Sequence, residues 1–177
     1  MRVFLIAAVF TTIAAPAMAQ DADAPLELPP VVMSIEHPDE IAVDTYAVSD
    51  ANAGAGPFEG DVMWTAFHGE DGVGRIVDGM LAKSVDDPRI AGIFAATDMV
   101  RLKRTLREQF CYILKGGCSY SGRSMADAHD QMGLQPADFG ALVEHLQEAM
   151  QTEGVAFRDQ NRFLAKLAPM RPQVVTR

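Results

Sequence analysis

The stretch 116-GGCSYSGRSMADAH-129 decides how this chain is read. Gly116 and Gly117 stop any helix that reaches them, and Gly122 allows a second tight bend. Met125 stands one helical turn before His129 on the same face. Asp127 and Asp130 flank the histidine. A lone imidazole in so short a helical run has two readings. It is a core histidine with its hydrogen bonds satisfied, which is the commoner case, or it is a ligand. The surrounding sequence has to separate them.

Upstream, Val73, Ile76, Val77, Met80, Leu81 and Val85 recur at helical spacing, and Asp87-Pro88 closes that run. A short helix, PRIAGIF, follows. Asp98 is placed to cap a long helix whose Leu102, Leu106, Phe110 and Ile113 share one face and which ends at the glycine pair. Downstream, Pro136 opens a helix that Gly154 closes, with Phe139, Leu142, Val143, Leu146 and Met150 on its buried side. A last helix carries Phe157, Phe163, Leu164 and Leu167, and Pro169 and Pro172 loosen its end. Residues 63–177 contain no strand pattern and no repeat, which predicts an all-α domain of about 115 residues. Apolar residues from several of these helices can converge on His129.

The first 62 residues differ. MRVFLIAAVFTTIAAPAMAQ carries one basic residue, an apolar run and Ala17-Met18-Ala19. That is the order of a secretory signal cleaved after Ala19, and the run is short for a membrane anchor. No later segment is long and apolar enough to span a bilayer. An exported protein, periplasmic or secreted, is expected. Residues 20–62 hold ten Asp or Glu, five prolines and no Lys or Arg. They predict a largely irregular acidic arm, in which VVMSI and IAVDTYAV could pair as a hairpin around HPDE. Most of the formal charge of -9 sits there, since residues 63–177 have 14 acids and 14 Lys plus Arg. So acidic a chain is a poor partner for nucleic acid. Arg101, Lys103, Arg104 and Arg107 form a basic cluster that the arm could shield, unless the arm recruits a basic redox partner.

Export bears on the two cysteines. Cys111 and Cys118 read as a disulfide in an oxidising compartment, with two free thiols as the alternative. Seven residues of straight helix span about 10.5 Å, beyond the roughly 7 Å a disulfide bridges, so the helix must end between them. No C-x-x-C-H is present, so c-type haem attachment is excluded. Of the other histidines, His37 precedes a proline, His68 lies in the turn FHGEDG, and His145 neighbours Glu144 off the apolar stripe. All three read as surface residues.

The ordered set in GGCSYSGRSMADAH, the helix beginning TDMVRLKRTLREQF, DDPRIAGIF before it and ADFGALVEHLQEAMQTEGV after it resemble the truncated haemoglobins, most closely group I. The resemblance runs from about Met63 to the C-terminus. It implies a two-over-two helical sandwich around haem b (iron protoporphyrin IX), with His129 as the proximal iron ligand. It places Phe94 against the porphyrin face, and Leu81, Leu102 and Leu106 on the distal side. Met125, Phe110, Leu134, Phe139 and Val143 complete an apolar pocket. Lys103, Arg104, Tyr120 and Arg123 are candidates for the haem carboxylates, with a solvated helix face as the alternative for each.

The chain also departs from that family. Where group I usually has a distal tyrosine and glutamine, the aligned positions read Met80-Leu81 and Leu106. Leucine donates no hydrogen bond, so weak dioxygen retention is expected, with carbon monoxide less affected and nitric oxide dioxygenation in doubt. WTAFHG replaces the usual tyrosine and two glycines of the first helix. Three functions are open: binding a diatomic gas (O2, CO or NO), a periplasmic redox or haem-handling role with six-coordinate iron, or an interaction module that has lost haem. Met80, Met99 and His68 are the candidate sixth ligands for the second.

Overall fold

A computed structural model describes residues 37–177. The signal-like stretch 1–19 and the run VVMSI lie outside those residues. Among the described residues every regular element is helical. In order these are α1 (Val62–Ala66), α2 (Gly69–Asp86), α3 (Ala91–Phe94), α4 (Met99–Ile113), α5 (Met125–His129), α6 (Pro136–Thr152), α7 (Phe157–Leu167) and α8 (Arg171–Val174), with 3-10 turns at Asp50–Ala53 and Ala168–Met170. No described helix is long and apolar enough to cross a membrane.

Helix α2 is the hub, packing on both α6 and α4. Its stripe of Val73, Ile76, Val77, Met80 and Leu81 is buried as periodicity predicts. Val85 is not: Ser84 takes the inner place in the last turn, where its Oγ donates to the Met80 carbonyl at 2.8 Å. Asp98 caps α4 by accepting from Val100 and Arg101 N–H groups at 3.1 and 3.0 Å. The core centres on three rings. Phe163 meets Phe67 and Phe110 edge-on, at centroid distances of 5.0 and 4.9 Å. Pro169 and Pro172 do not simply loosen the chain end; they start short helical turns that carry Val174 back into the fold.

Between α4 and α5 the glycine pair does two different jobs. Gly117 takes φ +87°, a left-handed turn that suits glycine. At Gly116 a Cβ would come within 2.6 Å of the Trp64 ring and 2.7 Å of the Cys111 sulfur. Helix α4 ends at Ile113, so the chain can turn back and Cys111 and Cys118 form a disulfide with their Cα atoms 5.7 Å apart.

The described part of the arm forms no strand. Among the described residues IAVDTYAV has no ladder partner, and side chains take the backbone groups at its start: Ile41 N–H donates to Asp98 at 2.7 Å, and Arg101 donates to the Ile41 carbonyl. Glu40 accepts from Arg104 at 2.6 and 3.0 Å and ion-pairs with Arg101 at 3.2 Å. The Arg104 guanidinium holds the Glu40 carboxyl below its ordinary value, against the opposing effect of burial. Lys103 and Arg107, the other half of the basic cluster, pair with Asp78 of α2 instead. Further along, Phe58 N–H donates to the Ile113 carbonyl at 2.8 Å, and its ring lies under Arg162 and Lys166 of α7.

His145 corrects a sequence expectation. It is buried, not at the surface, because polar partners satisfy both ring nitrogens: Ser84 Oγ at 3.0 Å from Nδ1 and Asp87 at 3.1 Å from Nε2. His68 is exposed and pairs with Glu153 at 2.9 Å.

Candidate functional site

A cleft of about 270 Å³ opens between α2, α3 and α4 on one side and the segment from Tyr120 to Leu142 on the other. That is near the lower end of small-molecule sites, roughly 300 Å³. Its walls are mostly apolar. Met80 and Leu81 come from α2, Phe94 from α3, Leu102 and Leu106 from α4. Tyr120, Met125, His129, Leu134 and Phe139 line the opposite side. Nine residues expected at the site therefore converge there: Leu81, Phe94, Leu102, Leu106, Tyr120, Met125, His129, Leu134 and Phe139.

Four expected site residues do not line it. Phe110 turns into the core against Phe163, because the cavity stripe of α4 runs through Leu102, Thr105, Leu106 and Gln109, and the next residue is rotated by about 100°. Val143 yields to its neighbour Leu142 for the same reason. Lys103 pairs with Asp78 at 3.2 Å. Arg123 stacks over the Tyr46 ring at 5.2 Å and donates to the Asp44 carbonyl at 3.4 Å. Arg104, a further carboxylate candidate, is held by Glu40 and Glu108. Of the candidate internal ligands, Met80 lines the cleft, while Met99 and His68 do not.

His129 is oriented by its own helix. Ser124 caps α5 by accepting from Asp127 N–H at 3.2 Å, which starts a helix of five residues. One turn later Nδ1 of His129 lies 2.7 Å from the Met125 carbonyl. A carbonyl only accepts, so Nδ1 carries a proton, and in the neutral ring the lone pair that a metal takes lies on Nε2.

The polar groups that line the cleft spend their donors on the protein. Thr97 donates to the Ile93 carbonyl at 3.2 Å, and Thr105 to the Arg101 carbonyl at 3.0 Å. Gln109 donates to the Ala53 carbonyl at 2.8 Å and lies 3.4 Å from the Met125 sulfur. Tyr120 donates to the Arg123 carbonyl at 3.1 Å, and burial raises its phenol well above the ordinary value, so the proton stays on. Asp138 caps α6 by accepting from Gln135 N–H at 2.8 Å. Among the described residues, the side-chain hydroxyl and amide donors that line the space are all engaged.

Gln109, Thr97, Thr105 and Val174 are lining residues that sequence reasoning did not select. Gln109 was within reach, three residues after Leu106 on the same helical face. Val174 was not, since nothing local says that the chain end returns to the cleft.

The arrangement fits haem. Among the described residues no three His, Cys, Asp or Glu side chains gather closely enough to hold a metal ion. Haem would bring its own ring nitrogens to the metal, so His129 alone could serve as its protein ligand, and the apolar walls suit a porphyrin face.

Comparison with known proteins gives the family and the fold. The family described as bacterial-like globin matches residues 63–176. The group 1 truncated hemoglobin GlbN of Nostoc sp. (strain MUN 8820) is 30% identical over 109 residues, 62% of this chain and 92% of that protein. The crystal structure of truncated hemoglobin from Tetrahymena pyriformis, Fe(III) form, superposes with a TM-score of 0.62 at 24% identity, covering 65% of this chain and 98% of that one. The 2/2 hemoglobin from Synechococcus sp. PCC 7002, in the cyanomet state and with covalently attached heme, gives 0.60 at 25% identity over 65% and 98%. The family match covers the helical domain, and the arm lies outside it.

Proposed function

Because the chain belongs to the bacterial-like globin family, and its truncated relatives are haem and gas binders, we propose that it holds haem b in the cleft through His129 and takes a diatomic gas on the α2–α4 side. One observation carries the reading. The His129 ring lines an apolar cleft with its Nδ1 proton committed to the Met125 carbonyl, which leaves Nε2 free. Haem supplies the iron to which the gas binds. His129 would hold that iron through Nε2, and Leu81, Leu102, Leu106 and Phe94 would exclude water from it.

A lining whose donors are engaged elsewhere sets the gas preference. A dioxygen held there would be retained by a hydrogen-bond donor beside it. Thr97, Thr105 and Gln109 have theirs engaged, and Leu106 has none. Carbon monoxide depends less on such a donor. The protein is therefore expected to hold carbon monoxide well, release dioxygen quickly and oxidise readily, which disfavours nitric oxide dioxygenation as its task.

Absorption spectra of the haem-supplied protein test this, taken ferric, dithionite-reduced and under carbon monoxide, beside His129→Ala. The expected result is a Soret band with a carbonmonoxy complex in the parent, and loss or a strong shift of that band in the variant. Absence of stoichiometric haem in the parent would overturn the reading. Sharp low-spin bands before any ligand is added would replace it with a six-coordinate redox protein, for which Met80 is the internal ligand within the cleft.

Export to the periplasm or beyond belongs to the same reading. It is supported by the signal-like order of residues 1–19 and by a disulfide suited to an oxidising compartment. The mature protein should begin at Gln20 by mass spectrometry, and an uncleaved N-terminus would count against it.

A further inference from the structure

The family match begins at residue 63, yet the segment before it is not idle. Residues 46–54 run against the loop that leads into α5. Tyr46 Oη donates to the Ser121 carbonyl at 2.9 Å. Asp50 accepts from Tyr120 N–H at 2.7 Å. Asn52 donates to the Gly122 carbonyl at 3.2 Å. Three consecutive residues of that loop are thus hydrogen-bonded to one segment of the arm, immediately ahead of Ser124, the cap of α5.

The end of the segment reaches α5 itself. Ala53 is fully buried, and its carbonyl accepts from Gln109, whose amide also touches the Met125 sulfur. Gly54 comes next, at φ +79°. A Cβ there would stand 2.9 Å from Cγ of Met125 and 2.8 Å from the Met170 sulfur, so the backbone of the arm lies directly against the Met125 side chain. Met125 is the residue whose carbonyl fixes the His129 ring at 2.7 Å.

A helix of five residues cannot hold its own direction, since isolated helices shorter than about 12 residues are marginal in water. Its aim must come from what packs on it. Here that includes α8, Gln109 of α4 and the arm. We propose that residues 46–54 are a positioning element for His129: they hold the 120–122 loop by hydrogen bonds and back Met125 by contact at Gly54. The inference rests on His129 being the haem ligand, and it assigns the ligand's orientation to a segment outside the globin match. Tyr46, Asp50 and Gly54 are positioning residues in this sense, because none of them lines the cleft.

Amide hydrogen exchange on the full chain, with and without haem, tests the proposal in the paired variant Tyr46→Phe, Asp50→Ala and in Gly54→Ala. The expected result is exchange faster by about tenfold at residues 120–129, the change for losing roughly one net hydrogen bond, with α2 and α6 unchanged. In the haem-loaded ferrous protein, the iron–histidine stretching band should shift in Gly54→Ala, because that vibration senses the Nδ1 hydrogen bond. If Gly54→Ala fails to fold, the paired variant decides, since its changes lie away from the core. Unchanged exchange at 120–129 would overturn the proposal. So would equal acceleration in every helix, which would mark the arm as a general stabiliser only. A parent that takes up no haem would sink the haem reading, yet exchange in the haem-free protein would still show whether the arm orders α5.

Discussion

On one side of the cleft, α2 and α4 are helices of 18 and 15 residues, whereas His129 stands on a helix of five. The long helices place their lining residues by periodicity: Leu102, Thr105, Leu106 and Gln109 fall on one stripe of α4 because 3.6 residues make a turn. The short helix has no such self-sufficiency. It depends on a cap at Ser124, a disulfide and two glycines upstream, α8 beside it and the arm behind it. Changes on the long-helix side should alter ligand chemistry and leave the frame intact. Changes around the short helix should alter the frame first.

The largest test of that contrast is the disulfide. Cys111→Ser with Cys118→Ser frees the loop that feeds α5. By the chain-entropy account, closing so short a loop contributes about 2.5 kcal/mol. Urea unfolding should show stability lower by that amount, with the loss of exchange protection concentrated at residues 114–129. A midpoint that does not move would mean that packing and the arm alone hold the loop.

A slightly smaller effect is expected behind α2. Ser84 Oγ lies between the Met80 carbonyl and Nδ1 of His145. Ser84→Ala leaves a buried ring nitrogen without a partner, at a cost of about 2 kcal/mol. Chemical denaturation should reveal that loss while the carbonmonoxy spectrum stays as in the parent. A changed spectrum at constant stability would show that α2 is not the rigid wall described above.

The same contrast explains what could be read in the sequence. Gly116, Gly117, Met125 and His129 are informative because each meets a local need, a turn or a ligand, at fixed spacing. The helices of the domain follow from periodicity and caps, as at Asp98 and Pro136. The stripe of α4 was nearly legible, but extending it from Leu106 to Phe110 instead of Gln109 moved one residue from the core into the pocket. His145 was misplaced because burial of a histidine depends on partners, Ser84 and Asp87, that lie far away in sequence. The fate of Lys103 and Arg123 was illegible for the same reason. Their partners, Asp78 and Tyr46, lie on other elements. The docking of residues 40–58 had no local signature, since an acidic, Pro-containing stretch reads alike whether free or bound.

On the long-helix wall, Leu106→Gln adds a donor facing the cleft. One hydrogen bond of about 1.4 kcal/mol would slow dioxygen dissociation roughly tenfold. Flash photolysis should show that change with carbon monoxide dissociation altered much less. Equal slowing of both gases would mean that the introduced amide side chain acts by blocking the exit, and the donor account of the wall would fail.

The smallest effect lies at the end of the hub remote from the cleft. Glu153 closes α6 and binds Arg75 of α2 at 2.9 and 2.7 Å, and His68 at 2.9 Å. The Arg75 hydrogen bonds hold its carboxyl at about 2, with burial opposing and His68 assisting. A carboxyl depressed on folding stabilises the protein above its unfolded value, here 4.5, and the contribution fades as pH falls from there through about 2. Arg75 is largely solvated, so the contribution is screened to the order of 1 kcal/mol or less. Thermal unfolding of the parent and Glu153→Gln should differ by a constant amount above about pH 5.5 and converge below 4.5. The convergence should accompany faster exchange where α2 meets α6, with residues 120–129 unaffected by the variant. Acid loosening at α5 that vanished in Glu153→Gln would join the two sides of the cleft into one cooperative unit and end the distinction between them.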